Sequence, residues 1–182
     1  MKIFRHHEIK KIADYVKQGG VIIYPTDTVW GIGCHALNQD AVQKVKLAKG
    51  KPNDAQLIWL LPSINAVMLH CGQITPEEKR MLLKKRTSVI INGQAVRVIR
   101  SGWLNRLLTA CKVPLVATSA NLHGQPVITS WRQGMMVFAE QDVAVVRGRK
   151  LKQVASSLVQ FDHSQVPAQI KILRPGSGIS ID

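Results

Sequence analysis

Gly19-Gly20-Val21-Ile22-Ile23-Tyr24-Pro25-Thr26-Asp27-Thr28-Val29-Trp30-Gly31-Ile32-Gly33 changes character at its midpoint. Residues 21–24 form a β-branched and aromatic run launched by two glycines, the pattern of a buried strand. Pro25 ends it, because proline has no N–H to offer a ladder. Thr26, Asp27 and Thr28 then set two hydroxyls and a carboxylate just past a strand's C-terminal end, where open α/β sheets bind ligands. Gly31 and Gly33 allow close backbone approach or positive φ on the way out. The same spacing also fits a polar turn between two strands, and spacing alone leaves both readings open.

Working outward, Ile9, Ile12, Ala13 and Val16 recur at helical spacing, which predicts an amphipathic helix over 7–17. Asn38 is a predicted N-cap with Asp40 in the first turn. That helix runs toward Lys49, where Gly50 and Pro52 stop it. Residues 57–61 read as a strand. Thr75-Pro76-Glu77-Glu78 is a helix start with an N-cap, a first-position proline and a capping glutamate, and the helix is expected to end in Lys84-Lys85-Arg86. Asn92-Gly93 predicts a hairpin between strands over 88–92 and 94–99. Ser101 is a predicted cap for a helix that carries Trp103, Leu104, Leu107, Leu108 and Cys111 on one face. A strand over 114–117 releases Thr118-Ser119-Ala120-Asn121, and a helix over 130–139 precedes strands over 143–146, 156–161 and 169–173. No repeat, linker or boundary interrupts the pattern. The expected fold is one α/β domain over 1–182, with a twisted, mostly open mixed sheet and flanking helices.

Twenty-five Lys and Arg against eleven Asp and Glu leave a formal charge of +14. So basic a domain usually meets a polyanion, with nucleic acid the leading candidate. A solubility effect of a basic proteome is the competing explanation. No RNA-recognition-motif, KH or zinc-finger signature is present. Three widely spaced cysteines without a CxxC suggest reduced structural thiols in a cytoplasmic protein. The longest apolar runs fall far short of a membrane span, and residues 1–20 lack a signal-peptide layout.

The two hydroxyl-rich loops, around Thr28 and Ser119, each follow a predicted strand. If those strands are neighbours, both loops open onto one sheet edge. Lys49, Lys51 and Arg97 could bring positive charge beside them, and hydroxyls with several fixed cations suit a polyphosphate. The lysines near 49 also suit a helix C-terminus, which is their plainer explanation. No GxxxxGK[ST] is present, so a P-loop is excluded. No His, Asp or Glu cluster has metal-ligand spacing, which argues against a protein-held metal, although Mg²⁺ could arrive on a nucleotide. The six histidines are scattered and read as surface or structural.

Residues 24–33 resemble the signature of the YrdC/Sua5 family, the threonylcarbamoyl-AMP synthases of tRNA modification. Lys49-Gly50-Lys51-Pro52, Ala95-Val96-Arg97-Val98, Thr118-Ser119-Ala120-Asn121-Leu122 and Arg174-Pro175-Gly176 follow in the family's order. The resemblance implies a YrdC-like fold and a nucleotidyltransferase reaction. L-threonine, bicarbonate and ATP give threonylcarbamoyl-AMP and pyrophosphate, for N6-threonylcarbamoyladenosine in tRNA. It implies that Thr28, Ser156 and Ser157 contact threonine and that Arg97 binds its carboxylate. Lys49 and Lys51 would face the triphosphate as the catalytic cations, and Ser119, Asn121 and Arg174 would hold ATP. It also implies tRNA or another structured RNA as a partner, with downstream proteins that transfer the threonylcarbamoyl group. Such chemistry is mostly positioning and charge stabilisation and needs no side-chain nucleophile.

Departures from the family pattern are Lys51 in place of arginine, Ala55 in place of a polar residue, and Lys84-Lys85-Arg86 where many relatives have Pro-Gly-Pro. Lys51 exchanges a planar fork for a point charge. Without the second domain of longer Sua5-type proteins, the chain resembles the short YrdC form. These departures support an alternative, an RNA-binding paralogue with a vestigial nucleotide cleft, in which Lys84, Lys85 and Arg86 contact RNA.

Overall fold

The computed structural model describes residues 1–50, 57–151, 154–165 and 167–179. Lys51 and Ala55 lie outside the described residues. In chain order the elements are β1 (Lys2–Phe4), α1 (Ile9–Lys17), β2 (Ile22–Pro25), β3 (Trp30–Gly33), α2 (Gln39–Lys49), β4 (Ile58–Leu61), α3 (Ile64–Cys71), α4 (Pro76–Leu82), β5 (Thr87–Ile91), β6 (Gln94–Val98), α5 (Gly102–Cys111), β7 (Leu115–Ser119), α6 (Trp131–Val137), β8 (Ala144–Val146), β9 (Ser157–Asp162) and β10 (Gln169–Arg174). The strands form one mixed sheet in the order β1-β8-β2-β3-β7-β4-β6-β5-β9-β10.

The central strands are buried on both faces, as their near-continuous apolar runs demand. In β2, Ile23 joins one core cluster while Ile22 and Tyr24 join another, and in β8 Val145 divides from Ala144 and Val146 in the same way. Helices α2 and α6 cover the first face. Helices α1 and α5 cover the second through Ile12, Val16, Leu107 and Leu108. Burying each such side chain fully is worth about 1.5–3 kcal/mol. Helices α3 and α4 close a third cluster against β4, β5, β6 and β9.

Local signals place the elements. Asn38 accepts a hydrogen bond from the Ala41 N–H and begins α2. Thr75 and Glu78 form a reciprocal capping box at α4. Asn92 and Gly93, with φ of 46° and 83°, turn β5 into β6 as the hairpin motif requires. Two elements escape the sequence reading, the short β1 and helix α3, and strand β3 decides for a turn between two strands, one of the readings the signature left open. Two expectations are corrected. Helix α4 stops at Leu82, ahead of the basic run. Ser101 occupies the N-cap of α5, but its side chain makes no capping hydrogen bond.

Strand β3 joins the halves of the sheet, pairing with β2 on one side and, through Gly31↔Ser119 and Ile32↔Thr118, with β7 on the other. A Cβ on Gly33 would lie 1.7 Å from the Val116 carbonyl oxygen, so only glycine admits this approach. Tyr24 reaches the same carbonyl and donates its hydroxyl at 3.0 Å. The phenol is fully buried, and burial pushes its pKa far above the usual value.

Candidate active site

Thr26, Asp27 and Thr28 form the turn between β2 and β3, and that turn opens onto a cleft. Thr26 shapes it: its Oγ1 donates to the Val29 carbonyl at 2.6 Å and accepts from the Thr28 N–H at 3.1 Å. Thr28, only 2% exposed, is thereby held with its hydroxyl 3.5 Å from Nη1 of Arg97, the donor.

Arg97 is the last residue but one of β6, paired with Leu60 of β4, and is 5% exposed. Its Nη2 forms an ion pair with Asp27 Oδ1, and its Nε is buried without a partner. Burial lowers the Arg97 pKa, while the Asp27 carboxylate works in the opposite direction and the Arg86 charge adds to the lowering. Arg174, at the end of β10, points to the same cleft and donates from Nε and Nη2 to the Ser156 carbonyl at 3.2 and 3.0 Å. Its pKa is lowered first by burial and then by the charge of Arg97. Two guanidiniums that repel one another across a cleft are a standing demand for an anion.

The cleft holds about 150 Å³ and is lined by Thr28, Arg97, Ser119, Ser156 and Arg174 together with apolar side chains of β4 and β7. Ser156 Oγ lies 3.1 Å from Ser88 Oγ, so a second hydroxyl supports the floor. Ser157 points elsewhere: its Oγ accepts from the Gly178 and Ile179 N–H groups at 3.2 and 2.9 Å and fastens the segment after β10. Of the adjacent serines named from the sequence, only Ser156 reaches the cleft. A Cβ on Gly176 would lie 2.4 Å from the Ala155 carbonyl, so the glycine of Arg174-Pro175-Gly176 lets that segment lie against the start of β9.

Lys49 is the last residue of α2 and is 1% exposed. Its ammonium donates to the Ser119 carbonyl, to the Asn121 carbonyl at 2.7 Å and to Asn121 Oδ1 at 2.9 Å. Ser119 Oγ donates to the same Oδ1 at 2.7 Å. Lys49 therefore shapes the loop after β7, with its charge directed at loop oxygens.

The basic run stands nearer the cleft than its position in the sequence suggests. Lys84 and Lys85 are exposed and Arg86 is half-buried. With Arg100, Arg149 and Asp27 they line a cavity of about 480 Å³. Asp27 is shared with a further cavity of about 560 Å³, beside His6 and Trp103, whose rings stack with centroids 4.6 Å apart. Sequence reasoning missed the use made of Thr26, Asp27 and Ser88. Asp27 as the one acid in the signature was the available signal.

Among the described residues no group of three or more His, Cys, Asp or Glu could hold a metal ion. No described helix is long and apolar enough to cross a membrane. The three cysteines carry free thiols, and burial pushes Cys34 up to about 12 and Cys111 up to about 11.

The sequence is 28% identical over 187 residues to a threonylcarbamoyl-AMP synthase of Pyrococcus abyssi, covering 93% of this chain and 54% of that protein. It is 30% identical over 158 residues to one of Vibrio parahaemolyticus, covering 76% of this chain and 85% of that one. The chain thus spans about half the length of the archaeal relative and most of the bacterial one. The fold superposes on P. abyssi Sua5 complexed with L-threonine with a TM-score of 0.80, at 26% identity over 96% of this chain and 57% of that one. The profile of the Sua5, YciO and YrdC proteins, described as "Telomere recombination", matches residues 14–176. With that profile spanning the signature turn, the Lys49 joint, Arg97 and Arg174 alike, the chain belongs to the Sua5–YciO–YrdC family.

Proposed function

We propose that this protein is an L-threonylcarbamoyladenylate synthase, a nucleotidyltransferase acting in the cytoplasm on behalf of tRNA modification. The observation that carries the reading is the convergence of Arg97 and Arg174, with the Thr28 and Ser156 hydroxyls, on one amino-acid-sized cleft. The names of the relatives and the threonine complex of P. abyssi Sua5 support it.

In this reading the threonine carboxylate pairs with Arg97, since a guanidinium fork matches a carboxylate. Its hydroxyl and amine meet Thr28 and Ser156. The amine takes up bicarbonate, releasing water, and becomes a carbamate. A carbamate oxygen then attacks the α-phosphorus of ATP, forming the mixed anhydride as the bond to the β-phosphate oxygen breaks and pyrophosphate leaves. ATP is a substrate and brings its own Mg²⁺. Ser119 and Asn121, held in shape by Lys49, contact the nucleotide, and Arg174 offsets developing negative charge. Lys51 would serve the triphosphate. Downstream proteins transfer the threonylcarbamoyl group to tRNA.

Pyrophosphate release from ATP and bicarbonate, measured with and without L-threonine, tests the proposal. Release that depends on threonine supports it. A second reading, an RNA-binding module with a vestigial cleft, draws on the basic cavity bordered by Lys84, Lys85, Arg86, Arg100 and Arg149. RNA binding without threonine-dependent release would decide for that one.

A further inference from the structure

The Arg97 guanidinium already has company on its reachable edge. Nη2 is paired with Asp27, Nη1 is 3.5 Å from the Thr28 hydroxyl, and Nε is buried without a hydrogen-bond partner. A carboxylate engages a guanidinium through two N–H groups on one edge. The Nε edge is closed off, and the Nη1–Nη2 edge is covered by Asp27 and Thr28. An arriving carboxylate must therefore replace Asp27, because it cannot simply add beside it.

Asp27 is free to leave. It stands on the turn between β2 and β3 with its side chain 39% exposed, whereas Arg97 is anchored within β6. The cavity on its other side is bordered by Lys84, Lys85, Arg86, Arg100 and Arg149, so cations wait where a displaced carboxylate would go. Arg97 meanwhile feels the like charges of Arg86 and Arg174, and without an anion its buried charge would stand uncompensated.

We infer that Asp27 is an internal stand-in for the substrate carboxylate, covering Arg97 in the empty site and exchanging with the α-carboxylate of the incoming amino acid. The inference rests on the reading that Arg97 receives that carboxylate. On release, Asp27 turns toward the cavity bordered by Arg86, Arg100 and Arg149. The exchange is also a selection step, since an amine or amino alcohol has no carboxylate with which to displace Asp27. Asp27 acts through Arg97 and is a positioning residue.

Calorimetry of L-threonine and L-threoninol on the wild-type protein, Asp27→Asn and Asp27→Ala tests the exchange. Both variants should bind L-threonine about tenfold more tightly, the factor for a cover closed about nine-tenths of the time. The KM for threonine should fall in step, and L-threoninol binding should not change. Threonine binding that is equal or weaker in both variants overturns the inference, since a merely structural Asp27 would weaken the site when lost. If none of the proteins binds threonine, the threonine reading falls. Phenylglyoxal modification mapped to Arg97 then decides the cover: faster modification in both variants sustains it, and equal rates overturn it.

Discussion

Lys49 and Asn121, separated by 72 residues in the chain, meet through two contacts: the lysine ammonium lies 2.7 Å from the asparagine carbonyl oxygen and 2.9 Å from its Oδ1. The asparagine side chain then spends its amide group on the Leu122 and Gln125 carbonyls, at 2.9 and 2.7 Å. A buried cation thus organises a loop that would otherwise expose carbonyl oxygens to one another. Lys49→Met keeps the aliphatic stem and leaves those neutral oxygens without their donor, so the variant should lose about 1–3 kcal/mol. Urea unfolding measures it. A midpoint within error of wild type would mean that the loop is held by its own turn.

Arg97→Ala should abolish threonine-dependent pyrophosphate release and leave ATP affinity largely intact. Losing a desolvated charge-assisted partner costs about 2–5 kcal/mol in ligand binding. Arg97→Lys should rescue little, because an ammonium cannot offer two parallel donors. Calorimetry with each ligand separates the outcomes, and an equal loss of ATP and threonine affinity would remove Arg97 from the carboxylate.

Neutralising the exposed pair, Lys84→Gln with Lys85→Gln, should flatten the log–log salt dependence of RNA binding by about one to two units while retaining pyrophosphate release. Arg86→Gln should differ, because Arg86 acts electrostatically on Arg97 and should also shift the KM for threonine. Filter binding across a salt series provides the slopes. Identical slopes in wild type and double variant would leave Lys84 and Lys85 as solvated charges that complement the end of α4.

Gly33→Ala should be strongly destabilising, since the new methyl would meet a backbone oxygen of β7 and not a side chain that can rotate away. Overpacking of this kind costs about 1–3 kcal/mol or more. Thermal unfolding followed by circular dichroism reports it. A melting temperature equal to wild type would show that β3 and β7 separate easily.

The buried thiols make stability fall in alkali. Burial raises Cys34 to about 12 and Cys111 to about 11, above the ordinary thiol value of 9. Their contribution is complete below pH 9 and disappears as pH rises from 9 toward 11 and 12, because there the unfolded chain loses protons that the folded chain keeps. Each thiol adds at most about 1.4 kcal/mol per pH unit to the slope. Cys34→Ala should therefore show a shallower decline of unfolding free energy between pH 9 and 11. Parallel curves would mean that Cys34 ionises as easily folded as unfolded.

The elements the sequence made legible are those with a strong local signal. The Thr75–Glu78 capping box, the Asn38 cap and the Asn92-Gly93 hairpin all stand where their residues put them. Strand β3 stayed one of two open readings because two of its four residues are glycine, which is depleted in strands. Here the glycines serve the neighbouring strand and not β3 itself. Helix α3 is apolar almost throughout and so offers no amphipathic period to read. Within the site, Thr28, Ser119, Arg97 and Arg174 were found through their motifs, and all four line the cleft. The Asp27–Arg97 pair was not, since 70 residues and several strand crossings separate its partners. Ser156 and Ser157 straddle the start of β9, and the hydroxyl of Ser157 is turned to the Gly178 and Ile179 N–H groups, a direction that neighbouring positions in the sequence do not reveal.

Arg174 closes the cleft by gripping Ser156, while Thr28 stands near the other end of the chain. At a synthesis rate of about 5–20 residues per second, these two walls leave the peptidyl-transferase centre about 7–30 s apart. Throughout that interval the nascent chain carries the signature turn, and then Arg97, without the guanidinium that completes the cleft. Full ligand capture thus waits until the β10 segment has been made, and a ribosome stalled before Arg174 holds a chain whose cleft lacks one of its walls.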